Sequence, residues 1–230
     1  MASAPEPASF QRARRPEQRE VRRNAILDAA HELLGELPAQ DISLREIARR
    51  LGGSKSGIVR YYETREALFL ELLHRARQEW LDDLEHRLPP PSSGKSDMDA
   101  LVTDLAGTWA RSLAERPVLC ELWSMLAAVL ERNVSAAVIR EFKLGNREQL
   151  LRLASMITER LPGLDDAAAG ELVNTSVVLI VGLWPFAHPS AAVAEAIDDP
   201  RLSASRIDFT DTFSRDLQVM IAGLLELSAP

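Results

Sequence analysis

The sequence predicts an all-α protein in which a short N-terminal group of three helices precedes a larger C-terminal helical bundle. Apolar residues recur with a spacing near 3.6 along most of the chain, and no segment alternates as a half-buried strand would. Segments rich in proline, serine or glycine separate the periodic stretches, so each stretch can be assigned as one helix. With 230 residues, 46 % of them hydrophobic, the chain can bury a sizeable core.

The chain opens with a basic segment, and the first helix follows it. Residues 1–16, "MASAPEPASFQRARRP", contain three prolines and little to bury, which predicts a disordered arm. Apolar positions between Val21 and Leu37 then follow a helical period, and Pro38 ends that helix. Six arginines lie between Arg12 and Arg23. They form either a basic patch that attracts a polyanion or a solvated tail.

Two short helices come next, joined by a glycine pair. Ser43 and Glu46 form an S-x-x-E capping box at the start of the first, and Ser54 caps the second, which extends to about Tyr62. Such a unit is a helix-turn-helix, which places its second helix in the major groove of DNA. The alternative is an ordinary helical hairpin with a solvated face.

The polar side of the second short helix supplies candidate DNA-binding residues. Lys55 and Ser56 are expected to face the groove, where N-terminal residues of the helix meet base edges. Gly57 has no side chain, so the backbone can approach a phosphate there. Arg60, Tyr61 and Arg65 are expected to contact the DNA backbone, which fixes register without reading sequence.

The segment "SLREIARRLGGSKSGIVRYYETREAL" (43–68) resembles the signature of the tetracycline-repressor (TetR) family of bacterial transcriptional regulators. The resemblance covers about residues 20–70 without a gap. The residues that fill the places of the signature are Ser43, Ile47, Ala48, Gly52, Ser54, Lys55, Tyr61, Tyr62, Thr64, Arg65, Glu66 and Leu68.

The resemblance implies further roles and shows two departures. It implies that Arg45 reaches a base or a phosphate, that Arg65 lies near the DNA backbone, and that the fourth helix links a reading domain to a sensor domain. Val59 stands where the family usually has a phosphate-binding tyrosine, and Gly53 stands where it usually has valine. The full candidate set is Ser43, Arg45, Ser54, Lys55, Ser56, Gly57, Arg60, Tyr61 and Arg65.

The predicted domains are a disordered basic arm, a helix-turn-helix DNA-binding domain and a ligand-binding and dimerisation domain, at residues 1–16, 17–66 and 67–230. The fourth helix is expected from Thr64 to about His86. Further helices are predicted at about 98–114, 117–131, 134–160, 166–187 and 206–228, with a loop and a short helix at 187–205. In this half the resemblance is only architectural.

The last two long helices predict a homodimer. Helix 166–187 is apolar nearly all round, as expected when one side meets the protomer core and the other a partner, and helix 206–228 adds an apolar stripe. A palindromic operator also requires a two-fold symmetric reader. The candidate interface residues are Val178, Leu217, Ile221 and Leu224.

Aromatic residues of the C-terminal half are candidates for a small-molecule pocket. Pockets of this kind are lined mainly by apolar and aromatic side chains with a few polar groups. The alternative for each residue is ordinary core packing. The candidate ligand-binding residues are Trp109, Trp123, Phe142 and Trp184.

Other classes of protein lack support in the sequence. The only cysteine, Cys120, cannot form an intrachain disulfide, and there is no Cys/His cluster to bind a metal and no motif for a cofactor. No signal peptide is visible, and the longest apolar run, 177–187, is shorter than the roughly 20 residues of a membrane-spanning helix. We therefore expect a soluble cytoplasmic protein with no contact to membranes.

The function predicted is that of a ligand-responsive transcriptional regulator. Repression is the family default, with binding to a palindromic operator of double-stranded DNA as a dimer and release by a small, mainly apolar effector. A helical module that binds small molecules without specific DNA binding is the alternative. An enzyme is disfavoured, because no catalytic constellation stands out.

Overall fold

The computed structural model describes residues 8–90 and 98–228, and every regular element in these ranges is helical. The all-α prediction is therefore confirmed, with short helices near the N-terminus and a larger helical bundle after them. The chain divides into two compact units, Met1–Leu72 and Leu73–Pro230, and the division falls within the fourth helix.

The first unit contains α1 (Ala8–Glu36), α2 (Leu44–Arg50), α3 (Lys55–Val59) and the beginning of α4 (Arg65–Arg87). Helices as short as α2 and α3 are not stable alone in water, so burial against their neighbours must hold them. α2 packs against both α1 and α3. The core that these elements share consists of fully buried aliphatic side chains, among them Ile26, Leu33, Ile42, Ile47, Ile58 and Leu68.

Helix α1 begins earlier than the sequence pattern suggests. It includes residues 8–16 of the predicted arm, with Pro16 inside the helix. The expectation of disorder came from the lack of apolar residues to bury, whereas alanine, glutamine and arginine are strong helix formers. Residues 16–21 are all exposed. Between Pro16 and Val21, α1 is therefore a helical extension that contributes no side chain to the core.

The second unit is a bundle of longer helices. α10 packs mainly on α5 and also on α8, and α8 packs on α6 and α7. The helices that follow α4 are α5 (Met98–Ala114), α6 (Pro117–Ser124), α7 (Ala136–Thr158), α8 (Asp166–Ala187), α9 (Ala191–Ala196) and α10 (Phe209–Leu227).

Helix α6 is shorter than the predicted 117–131. It ends at Ser124 and passes into a π-helical turn, Leu126–Leu130, in which the Leu130 amide donates to the Met125 carbonyl at 3.2 Å and the Glu131 amide to the Leu126 carbonyl at 3.1 Å. Wider turns of this kind are rare and occur often at functional sites. The apolar run "LAAVL" continues a helical pattern, so periodicity alone cannot reveal the change of hydrogen bonding.

Aromatic rings fill the centre of the second unit. The Trp80 ring lies 5.8 Å from that of Trp123 and 6.4 Å from that of Trp109, and Trp109 lies edge-on to Phe213 at 6.3 Å. Such tilted and edge-to-face pairs favour the packed arrangement beyond their area burial. The Trp80 indole N–H donates to the hydroxyl of Ser112 at 2.9 Å, which satisfies its polar group inside the core.

Candidate DNA interface and sensor core

The turn between α2 and α3 is closed by two serine caps and two glycines. The Ser43 hydroxyl accepts the Glu46 amide at 3.2 Å at the start of α2, and the Ser54 hydroxyl accepts the Gly57 amide at 3.3 Å at the start of α3. Gly52 adopts φ 61°, in the left-handed region that favours glycine, and thereby ends α2. The sequence therefore determines the helix-turn-helix locally.

Only half of the predicted capping box forms. The Glu46 carboxylate does not return to the Ser43 amide but pairs with the guanidinium of Arg49, one turn further along α2. A charged partner at i+3 competes with the backbone amide, since charge-assisted hydrogen bonds are the stronger kind. The Arg49 charge is therefore compensated on its own helix.

The predicted DNA-binding residues lie mostly on the surface of the first unit. Ile58 and Tyr62 are buried and fix α3 to the core. The exposed candidates are Ser43, Arg45, Ser54, Lys55, Ser56 and Arg60, and the partly exposed ones are Gly57, Tyr61 and Arg65.

Hydrogen bonding separates the cations of this unit into two classes. The guanidinium of Arg50 pairs with Glu32 and Glu36 of α1, and that of Arg23 forms a bidentate pair with Glu71. From α2 to the residue after α3, the cations without a hydrogen bond or ion pair to any described residue are Arg45, Lys55 and Arg60. Positive charges without an acidic partner on this helix-turn-helix would attract an anionic partner.

Arg65 differs from the other candidates because its donors are already used. Its Nη1 donates to the carbonyl oxygens of Ile42 at 3.1 Å and Gln40 at 3.3 Å, and its Nη2 pairs with Glu66 at 2.9 Å. The side chain thus fastens the start of α4 to the 3₁₀ turn at Ala39–Asp41. A role at the DNA backbone remains a prediction for this residue.

Tyr62 lies inside the first unit rather than at its surface. The Arg23 guanidinium lies 5.3 Å from the centre of the Tyr62 ring, and burial raises the pKa of the Tyr62 hydroxyl. Arg23 of α1 also binds Glu71 of α4, so Arg23, Tyr62 and Glu71 connect α1 and α4 to the segment that follows α3. They fix the orientation of the helix that carries Lys55 and Arg60.

The four predicted ligand-binding residues are all buried in the second unit. Trp109 belongs to the central aromatic cluster, where it contacts Trp80 and Phe213. Trp184 stacks on His188 with ring centres 3.7 Å apart and meets Phe209 edge-on at 5.0 Å. The structure therefore does not bring the four together as one wall, and their contact with a ligand remains a prediction.

Trp123 and Phe142 lie beside Arg77, a residue that the sequence reading does not single out. The Arg77 guanidinium carbon lies 5.7 Å from the centre of the Trp123 ring and 5.8 Å from that of Phe142, and the residue is 1 % exposed. A signal was present in the sequence: Arg77 falls four residues after Leu73 and three before Trp80, on the buried stripe of α4.

The predicted interface residues fall into two classes. Leu217 and Ile221 are both 0 % exposed, so they belong to the protomer core and have no surface to offer a second copy. Val178 is 69 % exposed on α8, and Leu224 is partly exposed on α10. The apolar residues that these two helices do present to solvent also include Phe186 and Val219.

Helix α8 is long and apolar enough to cross a membrane by length and composition, and 39 % of its most apolar window is buried. One such helix is weak support for a membrane span, since a core helix of a soluble protein passes the same test. Among residues 8–90 and 98–228, no group of three or more His, Cys, Asp or Glu side chains is placed to hold a metal ion.

Two family models match the chain. Residues 26–72 match the bacterial regulatory proteins of the tetR family, and residues 74–227 match the tetracyclin repressor-like C-terminal domain. The regulators of this family bind DNA and small-molecule ligands, and they are transcription factors rather than enzymes. No curated protein matches the chain significantly.

Solved structures of bacterial regulators share the fold at low sequence identity. A putative transcriptional regulator from Pseudomonas aeruginosa PAO1 has a TM-score of 0.54 at 16 % identity, with 92 % of each chain covered. A TetR transcriptional regulator from Rhodococcus sp. RHA1 gives 0.53 at 18 %, covering 92 % of this chain and 97 % of its own. The fatty acid degradation regulator FadR from Bacillus halodurans gives 0.53 at 13 %, with 88 % and 97 % covered.

Proposed function

Because the chain belongs to the tetR family of bacterial regulatory proteins, we propose that it is a cytoplasmic repressor that binds a palindromic operator as a homodimer. The observation that carries this proposal is the set of three cations, Arg45 on α2, Lys55 on α3 and Arg60 directly after α3, that have no acidic partner among the described residues. Uncompensated lysines and arginines neutralise phosphates and release counterions, which supplies much of the affinity for DNA.

The roles within the reading motif follow from position on α3. Lys55 and Ser56 stand in its first turn, where a helix in the major groove meets base edges. Arg60 follows the last residue of α3 and suits a phosphate. Gly57 has no side chain, so a phosphate can come close to the backbone of α3 at this position. This division assigns specificity to the start of α3 and affinity to its end.

The second unit is proposed to bind the effector that releases the operator. Its core is rich in aromatic rings, and the predicted ligand residues Trp123 and Phe142 lie beside the guanidinium of Arg77. Apolar walls with a few polar groups are the usual composition of small-molecule sites. The effector is accordingly proposed to be small and mainly apolar.

Selection of bound fragments from the source genome tests the DNA-binding proposal. We expect enrichment of a fragment that contains an inverted repeat, bound more tightly than random DNA and with a steep loss of affinity as salt rises. A variant with Arg45, Lys55 and Arg60 changed to alanine should lose this binding. The matched control changes Arg152, Arg201 and Arg206 to alanine, so it has the same net charge as the test variant. All three of these arginines are ion-paired in the second unit.

A helical module that binds small molecules without reading DNA is the second candidate. Val59 favours it, because this residue is 45 % exposed at the end of α3, in the place where the resemblance implies a phosphate-binding tyrosine. Under this alternative no fragment is enriched, and the triple alanine variant behaves like its control. The first result would exclude the repressor, and the second would exclude these three cations as its DNA contacts.

A further inference from the structure

Arg77 is a buried cation with an unused donor. Its Nε donates to the side-chain oxygen of Gln149 and its Nη1 to that of Asn146, while Nη2 is sealed from solvent and has no partner among the described residues. An unpaired charged donor inside a protein is costly, so a group in this state calls for an explanation. Burial lowers the pKa of Arg77 to about 10, which still leaves it cationic at neutral pH.

The acceptors that Arg77 does have are neutral. Gln149 and Asn146 offer amide oxygens, and no carboxylate among the described residues pairs with the guanidinium. Gln149 is itself held in place, because its amide nitrogen donates to the His74 carbonyl at 3.0 Å and to the Gln78 side chain at 3.2 Å. The surrounding residues therefore orient the guanidinium without neutralising its charge.

Arg160 shows how a structural arginine is buried in the same unit. It is 7 % exposed, and its three nitrogens donate to the carbonyl oxygens of Pro89, Met156 and Glu85. Its charge also has a counter-charge, since Nη1 lies 3.6 Å from the Glu159 carboxylate. Arg77 lacks both features, a full set of acceptors and a counter-charge, although it is the more deeply buried of the two.

Two aromatic rings lie close to this guanidinium. Trp123 and Phe142 face it at 5.7 Å and 5.8 Å, a cation–π arrangement that compensates a buried charge only in part. The chain between these two rings contains the π-helical turn Leu126–Leu130.

We propose that Arg77 binds the carboxylate of an organic monoacid whose apolar body packs against Trp123 and Phe142. The assignment rests on the proposed function, because it specifies the effector class of the sensor unit. A monoanion would neutralise the charge of the Arg77 guanidinium and accept a hydrogen bond from Nη2. A dianion such as a phosphate monoester would leave one negative charge uncompensated in the core, which is strongly unfavourable.

The test measures binding to the full-length protein by calorimetry. The probes are hexanoate, dodecanoate, phenylacetate and 1-naphthaleneacetate, each paired with its primary amide, which has nearly the same shape and no charge. We expect at least one acid to bind about tenfold or more tightly than its amide, as loss of a charge-assisted hydrogen bond implies. Arg77→Gln should remove this preference, because the acid loses a charge-assisted hydrogen bond and its amide loses only a neutral one.

Two further variants keep the test decisive. Arg77→Lys retains the charge but not the planar fork, so we expect an intermediate preference, and this variant serves if Arg77→Gln does not fold. Arg152→Gln is the matched control, since Arg152 pairs with Asp82 and Glu85 in the same unit. It should keep the full preference for the acid.

Three outcomes would overturn the inference: equal affinity for acid and amide, an acid preference that survives in Arg77→Gln, or no binding by any acid of the set. Failure of the proposed function gives a different result. In that case the unmodified protein enriches no genomic fragment, whatever the acids do. If fragments are enriched but acids are not preferred over amides, the proposed DNA-binding function is supported and the proposal of a monoacid effector is wrong.

Discussion

Arg45, Lys55 and Arg60 differ from Arg49, Arg50 and Arg65 in one respect: they have no acidic partner among the described residues. An arginine already paired with a carboxylate must give up that pair before it can bind a phosphate, whereas an uncompensated one need not. Arg49, Arg50 and Arg65 belong to the first kind. Net positive charge is therefore concentrated at the start of α2 and at the two ends of α3.

Separate alanine substitutions of Lys55 and Arg60 distinguish base reading from backbone contact. We expect Lys55→Ala to lose about 1–3 kcal/mol of binding free energy on the selected fragment and little on random DNA. Arg60→Ala should weaken both alike and lower the salt slope by about one unit. Gel shifts over a salt series measure both effects, with Arg201→Ala as the control. Equal losses for the two variants on both DNAs would refute this division of roles.

Gly57 and Gly52 should respond in opposite ways to alanine. A Cβ at Gly57 would lie 3.6 Å from the Ser54 hydroxyl oxygen, an ordinary contact, so Gly57→Ala should raise the free energy of unfolding by up to about 1 kcal/mol. Gly52 has φ 61°, so Gly52→Ala should lower it by about 1–2 kcal/mol. Chemical denaturation measures these changes.

The variants Gly57→Ala and Gly52→Ala also test whether a phosphate comes close to α3. Gly57→Ala places a methyl group where the backbone is proposed to meet DNA, so its operator affinity should fall although the protein is more stable. A stability gain without any loss of affinity would show that no phosphate comes close to this residue. Gly52→Ala controls for strain, because any loss of binding there should follow the loss of stability.

At the scale of elements, helix α1 combines two functions along its length. Its C-terminal part carries buried residues from Ile26 to Leu33, whereas residues 16–21 are exposed. The basic residues are concentrated toward the N-terminal part. Stability and charge are therefore supplied by different segments of one helix, and they should be separable by truncation.

Deletion of residues 1–16 should change the free energy of unfolding by less than about 0.5 kcal/mol, because the buried residues of α1 begin only at Ile26 among those whose burial is described. DNA binding should weaken, since Arg12, Arg14 and Arg15 are proposed to add phosphate or minor-groove contacts. Thermal melts and gel shifts measure the two effects. A full-length variant with these arginines changed to glutamine should reproduce the loss of affinity. A large fall in melting temperature would show instead that the segment packs against the core.

Periodicity and capping signals predict most helix boundaries, because they report on local backbone chemistry. α5 and α8 coincide with the predicted 98–114 and 166–187, where the latter has an aspartate cap whose side chain accepts the Ala168 amide at 2.8 Å. The end of α6 could not be predicted in this way. An α-helix and a π-helical turn present the same apolar pattern over five residues and differ only in hydrogen bonding.

The candidate sites show the same limit. Surface positions of a short capped helix follow from its period, so Lys55 and Arg60 could be placed on the exposed side. The spacing of Arg77 from Leu73 and Trp80 could place it on the buried stripe of α4, but its unpaired Nη2 could not be predicted, because hydrogen-bond partners depend on tertiary packing. Likewise, Leu217 and Ile221 share an apolar stripe with residues that face outward, and only tertiary packing separates the buried from the exposed.

At the scale of the whole molecule, charge and apolar surface are distributed unevenly along the chain. The net charge is −7, yet residues 9–60 contain 11 lysines and arginines against 7 acidic residues. Salt screens exposed charges beyond about 10 Å, so a DNA duplex would respond to the local excess. In the second unit, helices α8 and α10 expose three large apolar side chains to solvent, those of Val178, Phe186 and Val219.

The exposed apolar residues of α8 and α10 predict that a second copy covers them. Soluble monomers rarely expose contiguous apolar patches beyond a few hundred Å², and two copies of two helices can form a four-helix interface around a two-fold axis. Val178→Glu and Leu224→Glu should each split the dimer, since an unpaired charge is costly in an interface. Because Val178 is exposed in the protomer, its variant should still fold, whereas Leu217→Glu should unfold the chain.

Sedimentation at micromolar concentration measures the assembly directly. The unmodified protein should run at twice the 25.5 kDa of one chain, and Val178→Glu should run as a folded monomer that no longer binds the operator tightly. Leu151→Glu, which replaces an exposed leucine on α7, is the matched control and should remain dimeric. The charge of the new glutamate is the same in both variants, so only its position can account for a difference. A monomeric unmodified protein that binds an inverted repeat tightly would show that α8 and α10 do not form the interface.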